Sequence, residues 1–198
     1  FPLIYGGDCS VLLGAVPAVR DVYGTAALLF VDGHEDATTM EQSTTGEAAN
    51  MEIALLLGLT GQRAPKSMRS RLPVLLPETI VMLGQRDATY RHEIGVSSIA
   101  DRVLLHGAED LRRDPERIAA QAAAYVAGQA SGWWLHVDLD VLDGKEFRAC
   151  GAAGLPRMAR STDRSDSGLG MVTITTPASS GMSAARSSRR SASGGKSI

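Results

Sequence analysis

The sequence predicts an α/β fold, a mainly parallel sheet layered between helices. Three features of its 198 residues carry that expectation. Short apolar runs alternate with helix-forming stretches through residues 1–150, the order that βαβ units require. The runs are apolar almost without interruption, as strands covered on both faces are. One stretch, 114–129, has the sequence of a complete, capped helix.

In chain order, residues 1–5 form a short apolar run closed by Gly6-Gly7-Asp8. Residues 10–19 follow as a short helix. AALLFV at 26–31 is a buried strand. Within 46–59, Ala48, Met51, Ala54, Leu55 and Gly58 fall near helical spacing, so this stretch is expected to be helical. Residues 79–83 and 102–105 read as strands. In 114–129, Asp114 is the N-cap, Pro115 takes the first helical position and Gly128 lies near the end. WWLHVDLDV at 133–141 is expected to be one strand. The last segment, 151–198, reads differently: it holds eleven Ser, seven Gly and no aromatic residue, and only 171–176 has strand character. Its end, 184–197, lacks the apolar surface to offset its ordering entropy. The domain organisation expected is thus an α/β domain over 1–150 and a largely disordered Ser/Arg/Gly-rich tail over 151–198.

Composition narrows the function classes. The net charge is −2, with 44% hydrophobic and 21% charged residues, an ordinary soluble balance that points to neither nucleic acid nor an anionic membrane as partner. No apolar run is long enough to span a bilayer, and the N-terminal run is too short and interrupted for a signal peptide. Two cysteines, Cys9 and Cys150, make no disulfide framework, so a cytoplasmic location is expected.

Three segments carry the chemistry, each at the end of a predicted strand: Gly6-Gly7-Asp8-Cys9-Ser10, Asp32-Gly33-His34-Glu35-Asp36 and Asp138-Leu139-Asp140. Open parallel sheets bind ligands beyond the carboxyl ends of their strands, so the three are expected to meet in one cleft. Residues i and i+2 share a strand face, which pairs Asp32 with His34 and Asp138 with Asp140. Carboxylates side by side in apolar sequence are costly unless a cation neutralises them, and neither segment has an adjacent Lys or Arg. Four Asp and one His make a hard, oxygen-rich set that suits Mn²⁺ or Mg²⁺. The set is large enough for two ions that share Asp32 and Asp138, and such a pair can activate a water molecule. Each segment alone is better explained by a turn or a cap; the ordered trio, each at a strand end, is what points to metal. His136 reads as a core histidine with satisfied hydrogen bonds, the alternative being a partner that orients a ligand.

In this order the three segments resemble the metal-binding signatures of the ureohydrolases, the arginase and agmatinase family. The resemblance covers roughly residues 1–150. It implies a three-layer α/β/α fold of arginase type, incomplete here, and a binuclear manganese centre. It also implies hydrolysis of C–N bonds in linear amidines or guanidino compounds, with urea released. Carried over by position, Asp32 and Asp138 bridge two ions, Asp36 and Cys9 complete the first ion's shell, and His34 and Asp140 hold the second. Asp140 is also expected to be catalytic, accepting a proton or hydrogen bond as the tetrahedral intermediate collapses. Gly84-Gln85-Arg86-Asp87 resembles the family's Gly-x-Arg-Asp segment, which shapes the sheet end.

The departures are as specific. Cys9 stands where the family has His; a thiolate is softer, which admits Fe²⁺, Co²⁺ or Zn²⁺ beside Mn²⁺, and a buried Cys that does not ligate is the alternative. Ala49 stands at the family's loop His, and Glu47 is the expected substitute as a catalytic proton carrier. Thr89 stands where arginases have an acidic substrate-binding residue. No Gly-Gly-Leu-Thr-x-x-Glu segment follows Asp143; the change of composition near 148–154 has the look of a shifted reading frame, and the start at Phe1 that of an incomplete copy. The expected partners are a small guanidino or amidine substrate and other copies of the chain, with no nucleic acid and no membrane. Two other readings stand beside the hydrolase: a catalytically inactive, truncated homologue that keeps a partial metal site, and a non-enzymatic binding module with a basic tail.

Overall fold

The computed structural model describes residues 2–6, 8–143 and 171–177, the last segment as backbone alone. Apart from 171–177, the tail expected at 151–198 lies outside the described residues, as does Cys150. The sheet has six strands, β1 (Leu3–Gly6), β2 (Ala27–Val31), β3 (Ile80–Leu83), β4 (Leu104–His106), β5 (Gly132–Val137) and β6 (Met171–Pro177). They lie in the order β1-β6-β5-β2-β3-β4. β5, β2, β3 and β4 are parallel; β6 runs antiparallel to both β5 and β1.

Side-chain alternation along the buried strands divides the core into two layers. Leu28, Phe30, Ile80, Met82 and Trp134 point to one face. There they meet Leu12, Val16 and Val19 of α1 (Leu12–Tyr23), and Ile53 and Leu56 of α2 (Glu52–Leu56). Ala27, Leu29, Val81 and Leu83 point to the other face, against Ile118, Ala122 and Val126 of α6 (Pro115–Gln129). The four-residue spacing of those three positions puts them on one stripe of the helix. α6 begins as its sequence predicts: the Asp114 side chain accepts from the Arg117 amide, with Pro115 next in line. Three shorter helices, α3 (Lys66–Arg69), α4 (Ala88–Glu93) and α5 (Ala108–Arg113), complete the described elements. This is the expected α/β/α layering. Among the described residues, no helix is long and apolar enough to cross a membrane.

Two expectations need correction. The strand expected at 133–141 stops at Val137, and Leu139–Val141 is a 3₁₀ turn. The Asp138 carboxylate accepts from the Asp140 amide at 2.8 Å, which gives the backbone a local partner in place of the ladder. β2 likewise ends at Val31. Asp32 with His34, and Asp138 with Asp140, are therefore set by turns just past two strand ends and not by strand alternation. The helix expected across 46–59 is also shorter: a 3₁₀ turn at Ala48–Asn50 precedes the five-residue α2, and Gly58, at φ +71°, closes the stretch.

The strand order creates the cleft. β2 continues through α2 on one face of the sheet, whereas β5 is reached from α6 on the other. β2 and β5 are neighbours, so their carboxyl ends open between the two layers of connections, where α/β sheets bind ligands.

Candidate metal centre

Asp32 and Asp138 are the first residues past β2 and β5. Each is pinned by its neighbouring strand: the Asp32 amide donates to Leu83 O at 3.0 Å and the Asp138 amide to Val31 O at 2.8 Å. Cys9 arrives from the third direction. Beyond β1, Asp8 caps the turn Cys9–Val11 by accepting from the Ser10 amide at 2.9 Å. That turn sets Cys9 Sγ 3.5 Å from Asp32 Oδ2 and 3.4 Å from Asp138 Oδ2. Cys9 and Asp32 are both buried.

The second half of the site is built on Asp140. One of its oxygens lies 2.8 Å from His34 Nδ1; the other accepts from the Gly33 amide at 2.9 Å. Gly33 is required by this approach, because a Cβ there would stand 2.8 Å from the Asp140 carbonyl oxygen. Arg86 joins the two turns: its guanidinium donates to Asp140 O and its amide to Gly33 O. Gly84, at φ +100°, leaves the space that Val141 occupies. Next along the chain, Asp87 accepts from the Glu35 amide at 3.1 Å and pairs with Arg91 at 3.0 Å. The Gly84–Asp87 segment thus shapes the sheet end, as expected.

The side chains form three overlapping groups, in each of which the ligand atoms lie within 4.8 Å of one another: Cys9, Asp32, His136 and Asp138; Cys9, Asp36 and Glu52; Asp32, His34 and Asp140. All six expected ligands are in these groups. Glu47 is not. It is exposed, stands before the turn Ala48–Asn50 and accepts from Asn50 Nδ2 at 3.2 Å.

Two members were missed or misread. Glu52 was hidden in a helix-like stretch, yet Leu55, Leu56 and Leu59 stand three, four and seven positions on, which puts this carboxylate on the apolar face. His136 is not a satisfied core histidine. It stacks on Phe30 with centroids 4.9 Å apart, and neither ring nitrogen has a hydrogen bond. Its Nε2 stands 3.7 Å from Asp32 Oδ2, too far for a hydrogen bond but close enough to favour the ionised carboxylate.

The electrostatics follow from burial and crowding. Burial, reinforced by Asp32, Asp36, Glu52 and Asp138, pushes the Cys9 thiol far up. Burial and the carboxylates nearby raise Asp36, Glu52 and Asp138 above the usual carboxylate range. Burial opposes the charged form of Asp32, but the facing His136 and His34 outweigh it and hold the carboxyl down to about 2. Burial also opposes the charged form of His34, yet its contacts with Asp140 and Asp32 push it up to about 11. Among the described residues, no Lys or Arg forms an ion pair with Asp32, Asp36, Glu52, Asp138 or Asp140. Five carboxylates, two imidazoles and a thiol converge with nothing but the imidazoles to balance them. This donor set fits divalent cations.

Residues 1–155 match the arginase family. The chain belongs to that family. It is 29% identical to the arginase of Bacillus caldovelox over 143 residues, 72% of this chain and 47% of that one. It is 37% identical to the arginase of Saccharomyces cerevisiae over 89 residues, 44% of this chain and 27% of that one. The crystal structure of a cold-adapted arginase from the yeast Glaciozyma antarctica superposes with a TM-score of 0.57 at 27% identity, covering 71% of this chain and 50% of that one. The chain spans about half the length, or less, of the arginases it matches.

Proposed function

We propose that the protein is a hydrolase of C–N bonds in linear guanidino or amidine compounds, dependent on two divalent ions and releasing urea. The observation that carries this reading is the convergence of Cys9, Asp32, His34, Asp36, Asp138 and Asp140 at the carboxyl ends of β2 and β5. Asp32 and Asp138 would be shared between the ions, Cys9 and Asp36 would hold the first, and His34 and Asp140 the second. When bound, such ions supply Lewis acidity and lower the pKa of water towards neutrality.

The remaining chemistry belongs to the chain. Asp140 is half-buried and braced by His34 and the Gly33 amide. A guanidino or amidine group is a planar cation with N–H donors; a carboxylate at this position accepts a hydrogen bond from it, and can take the proton released by the attacking water and return it to the leaving amine nitrogen as the C–N bond breaks. Glu47, exposed on the turn before α2, carries protons between bulk water and the cleft. Mn²⁺ is the expected ion, with Fe²⁺, Co²⁺ or Zn²⁺ admitted by the Cys9 sulfur. A solved arginase from Entamoeba histolytica, 25% identical, was crystallised with L-ornithine.

The test is metal content followed by turnover. The full chain is equilibrated with manganese, desalted and analysed by mass spectrometry for bound metal, then assayed for urea released from agmatine, L-arginine and shorter guanidino acids. Two ions per chain, lost in Asp138→Asn together with urea release, is the expected result. Two ions without urea from any of these compounds would favour the inactive homologue; no ions at all would end the metalloenzyme reading.

A further inference from the structure

Among the described residues, Glu52 is the one acid of the three ligand groups that the three signature segments do not contain. It is the first residue of α2 and has no exposed surface. Among the described residues no N–H or hydroxyl donates to either of its carboxylate oxygens, and its one polar neighbour in contact is another acid, Asp36. Its surroundings are acidic: Asp36 and the Cys9 sulfur lie within 4.8 Å, and no basic side chain pairs with it among the described residues. A carboxyl group stripped of water with only another acid beside it is a costly arrangement for a core to hold. Packing does not require it, since Ile53 and Leu56 fill the adjoining core.

The position also answers a chemical deficit. The first ion's expected shell combines carboxylates with one soft donor, Cys9. Glu52 stands beside that sulfur and offers two hard oxygens. We propose that Glu52 is a ligand of the first ion, completing with Asp36 and Cys9 a coordination shell in which carboxylate oxygen offsets the soft thiolate. The inference rests on the metal-centre reading above. It has a consequence for ion choice: with Glu52 present the first position favours Mn²⁺, and without it the thiolate dominates and the preference moves toward Zn²⁺ or Co²⁺.

The experiment compares the full chain with Glu52→Gln and with Glu52→Met, an apolar side chain of similar length that keeps the fold should the amide disturb it. Bound manganese is counted after desalting, and the Co²⁺-substituted proteins are examined by absorption spectroscopy. Expected are about two Mn²⁺ per wild-type chain and about one in both variants. The Co²⁺ spectrum is expected to change in its sulfur-to-metal charge-transfer band, since that band reports on the ion that Cys9 touches. In the metal-free state both variants should melt at or above the wild-type temperature, because an unpaired buried carboxyl has been removed. Wild-type and variant proteins that both bind two Mn²⁺ with unchanged affinity would overturn the role of Glu52 while leaving the metal centre standing. A wild-type chain that binds no metal would instead remove the reading on which the inference rests.

Discussion

His34, Asp36, Glu52 and Asp138 all hold protons more tightly in the folded, metal-free chain than they do when free in water. A cation has to displace those protons, so affinity for divalent ions falls as the pH falls, and binding releases protons. Calorimetry in two buffers of different ionisation enthalpy measures that release; equal heats in both would contradict it. The same groups set the pH dependence of stability. Above the ordinary carboxylate range the folded chain keeps protons that the unfolded chain has lost, and His34 does the same between its unfolded value and about 11. The metal-free protein therefore loses stability as the pH rises from about 5 to about 8. Asp32, held down to about 2, contributes its stabilisation throughout that window and does not alter the trend. Denaturant midpoints in the presence of a chelator should be higher at the lower pH. At Gly33 the constraint is steric: in Gly33→Ala the new methyl meets the Asp140 carbonyl, a backbone atom that cannot swing aside. We expect about 1–3 kcal/mol of destabilisation and weaker binding of the ion at His34 and Asp140, read by urea denaturation and metal content.

Among the elements, the turn that carries His34 is anchored from behind by Glu35. This carboxylate accepts from Ser98 Oγ at 2.7 Å and the Ile99 amide at 2.9 Å, and pairs with Arg91 at 2.8 Å. One buried side chain thereby ties the β2 turn to α4 and the segment after it. Glu35→Ala should cost about 3 kcal/mol in urea unfolding, since it leaves the Ser98 hydroxyl and the Ile99 amide without their acceptor and the largely buried Arg91 guanidinium with Asp87 alone. The strands and α6 were legible because continuous apolar runs and an Asp-Pro start have one structural meaning each. The end of β5 was not, because LHVDLDV has the composition of a strand to its last residue. The bond from the Asp140 amide to the Asp138 side chain, with those from the Val141 and Leu142 amides to Asp138 O and Leu139 O, turns the chain there. The short α2 was masked in the same way, by helix-forming sequence that the glycine at 58 cuts off.

Across the whole molecule, the six ligands named from sequence do converge, because three strand-end segments in a parallel sheet have one place to meet. Glu52 escaped notice because it stands outside the three signature segments, although its spacing to Leu55, Leu56 and Leu59 places it on the apolar face; its complete burial beside Asp36 and Cys9 marks it in the fold. Metal binding at such a centre stabilises the folded state by mass action. Manganese at about 100 times its dissociation constant should add about 2.7 kcal/mol for one ion, and a chelator should remove it. A melting temperature indifferent to both would contradict the centre. The overlap of the ligand groups has one more consequence. Asp32 belongs to the group of His34 and also to that of Cys9. If ions bind at both positions, one seated at either would fix the orientation of this common carboxylate before the other arrives. The two occupancies are thus thermodynamically coupled: whatever one does to the affinity of its neighbour, the neighbour returns in equal measure. A substitution at His34 should accordingly be felt in the metal affinity at Cys9.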